Sequence, residues 1–419
     1  MQGYKYKHRY AILSHRWGVD EPTFQQILKG DEQFLEEPPA GIRKLLEFCR
    51  IAAADYECSY AWSDTCCIDK QSSSELEEAI RSMYRWYRDS EICVVYLGGS
   101  SLLDHLKDDP WFRRGWTLQE LLAPARIKLY GRDWVPINSS RSILNDKEDE
   151  TVRRMIEEVT GIPGDDIRLF HPSCDRVSEK MTWMAPRQTT RTEDIAYSLI
   201  GIFDITMPIS YGEGPWAFHR LMEVVAQRCF DPGFFAWCGS PSPYSLALPG
   251  SPSCYKLDAV RANLLRLRGF EVSTEVHTGD PSYTMTKTGL AVNVLLIPID
   301  ESSPFSPIDT YILPAKLRIA IPLTTPCMGL TPARLRSAKP GGSYALGVVN
   351  YHRISTRGRG SVSARSNYFC LLLRKQDPKS WRKERTEYVV VLKCEGPLRG
   401  NVETIMLAHS TRLLSYFAL

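Results

Sequence analysis

Over the first 130 residues, short apolar runs of strand length alternate with segments whose apolar positions recur at helical spacing. Tyr10-Ala11-Ile12-Leu13-Ser14 reads as a buried strand, and Ile42, Leu45, Leu46, Cys49, Ala52, Ala53 and Tyr56 then mark an amphipathic helix. Tyr60-Ala61-Trp62-Ser63-Asp64 gives a second strand, and Leu76, Ala79, Ile80, Met83 and Tyr87 give the helix after a Ser-rich turn. A third strand covers 92–97. A loop ending at Asp109-Pro110, a helix over 116–122, a stop at Pro124 and a fourth strand over 126–130 complete the pattern. Strands that alternate with helices predict an α/β domain with a parallel sheet covered on both faces.

From residue 146 to about 235 the pattern turns helical, with segments over 151–160, 191–203 and 215–228. Thr190 and Glu193 have capping-box spacing, Pro215 suits a first helical turn, and Phe218, Leu221, Met222 and Val225 form one apolar face. Gly, Ser and Pro dominate 239–253, which reads as a linker. Beyond it the helical period disappears. Strand-like runs over 290–299, 317–321, 344–351, 368–373 and 387–392 predict a β-sandwich or barrel. The expected division is therefore an α/β domain over 1–145, a helical extension packed on it over 146–238, a linker over 239–253 and a β-rich domain over 254–419.

Composition narrows the class. With 43% hydrophobic and 24% charged residues, the 419-residue chain can bury more than one core, and a formal charge of +3 supplies no field that would hold nucleic acid or anionic lipid. The first ten residues are polar and basic with no apolar signal segment behind them, and no run reaches membrane-spanning length. The 12 cysteines are dispersed without metal-binding spacing, which predicts reduced thiols and a cytoplasmic protein. Adjacent Cys66 and Cys67 read as buried thiols. The locally basic stretch from Arg334 to Arg399 reads as a solvated surface.

Candidate chemistry gathers at two points. Ser14, His15, Arg16 and Trp17 follow the first strand, and Trp116 precedes Glu120 by one helical turn. Both groups fall at one edge of the predicted sheet, where α/β folds bind ligands. Glu120 can serve as a reacting carboxylate or simply pair with Arg113 or Arg114. Trp17 and Trp116 offer faces for a stacked ring, Arg16 a partner for an anionic group and Asp64 an acceptor for hydroxyls, which together suit a nucleotide-sized ligand. Asp69 reads as a turn acceptor and Trp62 as core. Tyr211-Gly212-Glu213-Gly214 lacks the spacing and lysine of a phosphate loop and reads as a turn into a helix.

Three blocks together resemble the fungal heterokaryon-incompatibility (HET) domain family: Tyr10-Ala11-Ile12-Leu13-Ser14-His15-Arg16-Trp17-Gly18, Trp62-Ser63-Asp64-Thr65-Cys66-Cys67-Ile68-Asp69-Lys70 and Trp111-Phe112-Arg113-Arg114-Gly115-Trp116-Thr117-Leu118-Gln119-Glu120. Met181-Thr182-Trp183, the run 187–194 and Tyr211-Gly212-Glu213-Gly214 are similar to the extension that follows that domain. The resemblance implies a distant TIR-like, flavodoxin-like fold. In enzymatic TIR domains a glutamate in a Trp-Cys-x-x-Glu helix cleaves the nicotinamide glycosidic bond of NAD+, and Trp116-Thr117-Leu118-Gln119-Glu120 matches with Thr117 in place of Cys. By that likeness Glu120 is the catalytic residue of an NAD+ glycohydrolase, with Ser14, His15, Arg16, Trp17, Asp64 and Trp116 around the substrate. No cofactor or metal is called for, NAD+ being the substrate. The same likeness implies activation by self-association, regulated cell death after non-self recognition and an incompatibility partner protein. The rival is a non-enzymatic signalling scaffold on which the same surface binds a partner or nucleotide.

Overall fold

The computed structural model describes residues 9–30, 37–100, 103–138, 144–229, 231–255, 283–287, 289–298, 310–313, 317–320, 344–353, 358–362, 367–376, 380–384, 390–394 and 398–408. Contacts divide the chain into two units, Met1–Ser173 with Pro186–Gly214, and Cys174–Ala185 with Pro215–Leu419. This division does not follow the boundaries read from sequence at 145, 238 and 253.

The first unit holds β1 (Tyr10–His15), α1 (Phe24–Lys29), α2 (Ala40–Ala54), β2 (Tyr60–Trp62), α3 (Ser73–Asp89), β3 (Ile92–Tyr96), α4 (Thr117–Leu122), β4 (Ile127–Tyr130), α5 (Glu150–Thr160), α6 (Gly164–Arg168) and α8 (Asp194–Tyr197). Its four strands are all parallel in the order β2-β1-β3-β4, with Ile12 opposite Trp62 on one side and Cys93 on the other. Alternation along β1 assigns its two faces. Ala11 and Leu13 join Phe48, Ile51, Ala52, Tyr56, Ile92 and Val94 in a core under α2, whereas Ser14 turns to α4. The buried stripe of α2 runs through Ile42, Phe48, Ile51 and Ala52, rotated from the expected one, and Leu46 and Cys49 are exposed. Gly41 is required at its start, because a Cβ there would collide with the Asp20 carbonyl of the preceding loop.

The strand edge at β4 is covered by returning chain: Asn145 and Asp146 accept the amides of Ile127 and Leu129, and Lys147 donates to the carbonyls of Leu122 and Pro124. The helix expected over 191–203 shortens to α8 followed by turns. Its capping box is absent, because the Glu193 carboxylate instead accepts the amides of Gly212 and Gly214 at 2.8 and 3.0 Å. The Tyr211-to-Gly214 segment is thus a turn, closed by an acidic side chain of the same chain.

The second unit holds α7 (Val177–Met184), α9 (Trp216–Arg228), β5 (Tyr283–Thr286), β6 (Gly289–Pro298), β7 (Thr310–Leu313), β8 (Leu317–Ala320), β9 (Tyr344–Val348), β10 (His352–Arg353), β11 (Arg359–Val362), β12 (Asn367–Lys375), β13 (Ser380–Lys383), β14 (Val390–Cys394) and β15 (Leu398–Ala408). β6, β9, β12, β13 and β15 pair successively, and β13 returns to β15, so the five close into a barrel. Of the two all-β forms expected, the closed one is present. The Pro- and Ser-rich stretch is no open linker. The amides of Ser242 and Gly250 donate to Leu248 and Ser240, Ala247 and Leu248 are fully buried, and the Ser242 hydroxyl lies 3.0 Å from His219 Nδ1. Of the sequence readings, residues 1–8, 256–282, 299, 321–343, 387–389 and 409–419, and with them Arg334, lie outside the described residues.

Candidate active site

Glu120 lies in the middle of α4, a helix whose six residues are all buried, and is itself 4% exposed. Sequence spacing makes the segment helical; tertiary contacts fix where its carboxylate goes. Ser14, at the carboxyl end of β1, donates to Glu120 Oε2 at 2.5 Å, and the Trp111 indole donates to the same Ser14 hydroxyl at 2.8 Å. The Tyr87 hydroxyl on α3 donates to the Leu13 carbonyl at 2.9 Å and lies beside the carboxyl group. Burial raises the Glu120 carboxyl to about 7, with the Asp64 charge adding to it. The nearby Arg114 guanidinium, the Ser14 hydrogen bond and the Tyr87 hydroxyl oppose the rise. A carboxyl poised near neutrality inside a protein is characteristic of reacting groups.

A second group forms one turn beyond β2. The Trp17 indole donates to Asp64 Oδ1 and Oδ2 at 3.1 and 3.0 Å, His15 Nε2 lies 3.3 Å from Oδ1, and Arg114 Nη2 lies 3.6 Å from Oδ2. Burial alone would raise Asp64, but the His15 hydrogen bond and the His15, Arg114 and Lys70 charges outweigh it and hold the carboxyl at about 2. His15 is pushed below its usual range by burial, against the pull of Asp64. Its other nitrogen faces Glu21 at 3.9 Å, and Glu21 also pairs with Lys44 and accepts the Gly18 amide. Trp17 stays 45% exposed, with the Lys70 ammonium 3.8 Å and the Arg114 guanidinium 5.1 Å from its ring centre. The cleft therefore offers an aromatic face and two cations beside two carboxylates of opposite protonation tendency.

Ser14 and Glu120 touch, and His15, Trp17 and Asp64 touch. Arg16 is exposed and takes no part in this network. Trp116 does not join it either. Its side chain lies beside Asp194, which accepts from the Tyr211 hydroxyl at 2.8 Å, so the ring faces the 186–214 segment. The backbone explains this: Trp116 is the N-cap of α4 and Glu120 is a full turn deeper.

Sequence reasoning missed the residues that organise the site. Arg114, read only as an ion-pair partner, donates to the His15 carbonyl at 2.5 Å and links both carboxylates. Tyr87 fell within an apolar helical stripe, so periodicity reported its burial and not its hydroxyl. Arg187, 4% exposed, donates to the Arg114 carbonyl at 3.0 Å and to the Thr117 hydroxyl at 2.8 Å, and lies within the field of Glu120. Thr117 in turn lies 2.6 Å from the Trp111 carbonyl. Thr117 is thus the bracket of the helix start. Replacing Arg187 with Gln should lower stability by about 2 kcal/mol through lost charged hydrogen bonds. It should also push the Glu120 carboxyl further up by removing a cation. Urea unfolding and carboxyl-stretch infrared difference spectra against Glu120→Gln would register the two effects separately.

Among the described residues no group of three or more His, Cys, Asp or Glu side chains is arranged to hold a metal ion, and no helix is long and apolar enough to cross a membrane. Residues 10–102 match the family model described as "Heterokaryon incompatibility protein (HET)". That span contains Ser14, His15, Trp17 and Asp64 and ends before α4. The chain is also 42% identical over 230 residues to "Vegetative incompatibility protein HET-E-1" of Podospora anserina, a match covering 52% of this chain and 16% of that relative's length. No solved structure matches the chain. With the sheet, the three motif blocks and these matches agreeing, the first unit of this chain carries a HET domain over residues 10–102.

Proposed function

We propose that the first unit is an NAD+ glycohydrolase that acts in heterokaryon incompatibility, where loss of NAD+ drives regulated cell death. The observation that carries this reading is the buried Glu120 carboxylate, clamped by Ser14 at 2.5 Å and held in the field of Arg114, Arg187 and Asp64 at the carboxyl ends of β1 and β2. The strand order β2-β1-β3-β4 supports a flavodoxin- and TIR-like assignment. Nicotinamide departs as a neutral base from a cationic precursor, so cleavage needs no strong acid, and the developing oxocarbenium ion needs an anion beside it. Glu120 in its ionised form supplies that anion. Water then completes the reaction, giving nicotinamide, ADP-ribose and a proton.

Asp64, fully ionised, is suited to the ribose hydroxyls, and Arg114 and Lys70 to the pyrophosphate, a role that Arg16 can share from its exposed position. Admission of the ribose requires Trp17 to leave Asp64, and self-association is the step we assign to that opening. The incompatibility partner would act through the same assembly. Nicotinamide release from NAD+ by the purified chain, followed at low and high protein concentration, tests this. Release that rises more steeply than protein concentration supports an assembly-switched enzyme. No release at any concentration from folded protein would leave the surface as a non-enzymatic binding scaffold.

A further inference from the structure

The closed sheet of the second unit carries a buried cation. Lys383 is the last residue of β13, opposite Leu373 of β12, and is 8% exposed. Alternation along the strand explains its burial, because Arg382 is exposed while Trp381 and Lys383 turn inward. The Lys383 ammonium lies over the Trp237 ring, 3.3 Å from its centre. Trp237 follows the turn Pro232–Phe235 and is itself 2% exposed, so both groups are withdrawn from water.

Two donors meet at this contact, and neither is satisfied. Among the described residues, Lys383 Nζ and Trp237 Nε1 have no hydrogen-bond partner. The ring face attracts the charge but supplies no lone-pair acceptor, and the indole N–H is a donor only. The groups that favour the charged amine are the Cys238 and Cys254 thiols, with no carboxylate among them, and burial draws the amine down to about 8. A buried donor without an acceptor is costly, and here two such donors share one contact.

The chemistry that would complete them is narrow. A further donor or a cation would add to the imbalance. One ammonium balances one negative charge, whereas a dianion would leave an excess charge in the interior. Donors on two separate atoms suit the two oxygens of a carboxylate. We infer that Lys383 and Trp237 form a carboxylate-binding site in the second unit, the ammonium and the indole N–H each donating to one oxygen of a small organic acid. The site shares no residue with the Glu120 cleft and stands whether or not NAD+ is cleaved there.

The test uses acetate labelled with 13C at the carboxyl carbon as the probe. Its NMR linewidth is followed as the full chain is added at pH 7 and constant ionic strength. The parent should broaden the resonance saturably, and propionate should compete. Trp237→Phe keeps a ring against the ammonium and removes the N–H, so it should weaken binding by about tenfold. Lys383→Met keeps a long side chain and removes both charge and donors, so saturable broadening should disappear. In acetate-free buffer this variant should also unfold at a higher urea concentration than the parent, because a buried charge without a counter-ion has been removed. Equal broadening by the parent and both variants would mean an adventitious ion only and would overturn the site. Absence of saturable broadening by the folded parent would overturn it without any variant. Displacement of acetate by chloride at equal concentration would overturn the carboxylate assignment.

Discussion

Glu120→Gln should reduce nicotinamide release by about 10²- to 10⁴-fold while leaving the protein folded. The amide keeps the size of the side chain and can still accept from Ser14, so what is lost is the negative charge beside the sugar. Because the parent carboxyl ionises at about 7, release by the parent should rise about tenfold per pH unit below that value and level off above it. The variant should show no such limb. A pH profile separates this from a packing defect, which would lower the rate at every pH. Equal release by both proteins would remove Glu120 from the reaction.

The same substitution should act oppositely on stability. Glu120 has a folded-state carboxyl raised from 4.5 to about 7, so its favourable contribution is complete below about pH 4.5 and is lost as pH rises through about 7. Above that pH the native state holds a buried anion at a cost of about 3 kcal/mol relative to the neutral form. Gln carries no such cost. Denaturant unfolding should find the variant more stable than the parent at pH 8.5 and equal to it near pH 4.5.

Asp146→Ala should destabilise the first unit by about 3–5 kcal/mol, the largest structural effect we expect. Asp146 is fully buried, pairs with the Lys128 ammonium at 2.8 Å and accepts the Leu129 amide at 2.7 Å. Burial raises its carboxyl against these partners, which marks the site as one where ions are costly to hold. Removing the carboxylate takes the anion away from a nearly buried lysine and uncovers an amide of β4. Lys147 follows directly and holds the end of α4, so the damage should reach the Glu120 helix. Replacing both Lys128 and Asp146 with apolar residues of similar size should recover most of the loss, as measured by urea unfolding. Failure of that recovery would mean that the β4 amide, rather than the lysine charge, carries the effect.

Much of the first unit was legible in the chain. Buried strand segments such as 11–14 and 92–95 read as continuous apolar runs, and the 3.6-residue stripe on α3 named Ala79, Ile80, Met83 and Tyr87. Periodicity reports which face of an element avoids water, and these faces are decided locally. It fails where side chains of distant sequence compete for one partner. Glu193 was free to cap its own helix, yet the amides of Gly212 and Gly214 claimed it. The stretch 239–253 has a linker's composition, yet pairing across Ser242 and Leu248 buries it.

The cleft divides along the same line. Strand order and loop position, both readable along the chain, bring Ser14, His15, Trp17, Asp64 and Glu120 towards one sheet edge. The crossing of distant segments set Ser14 to clamp Glu120 across 106 residues and Arg187 to bracket Thr117 across 70. It also sent Trp116 away to Asp194 and left Cys67 exposed beside a buried twin. Such pairings depend on where each chain segment crosses another, and on which buried charge can least tolerate being left alone. Neither quantity is written in the spacing of residues along a single element.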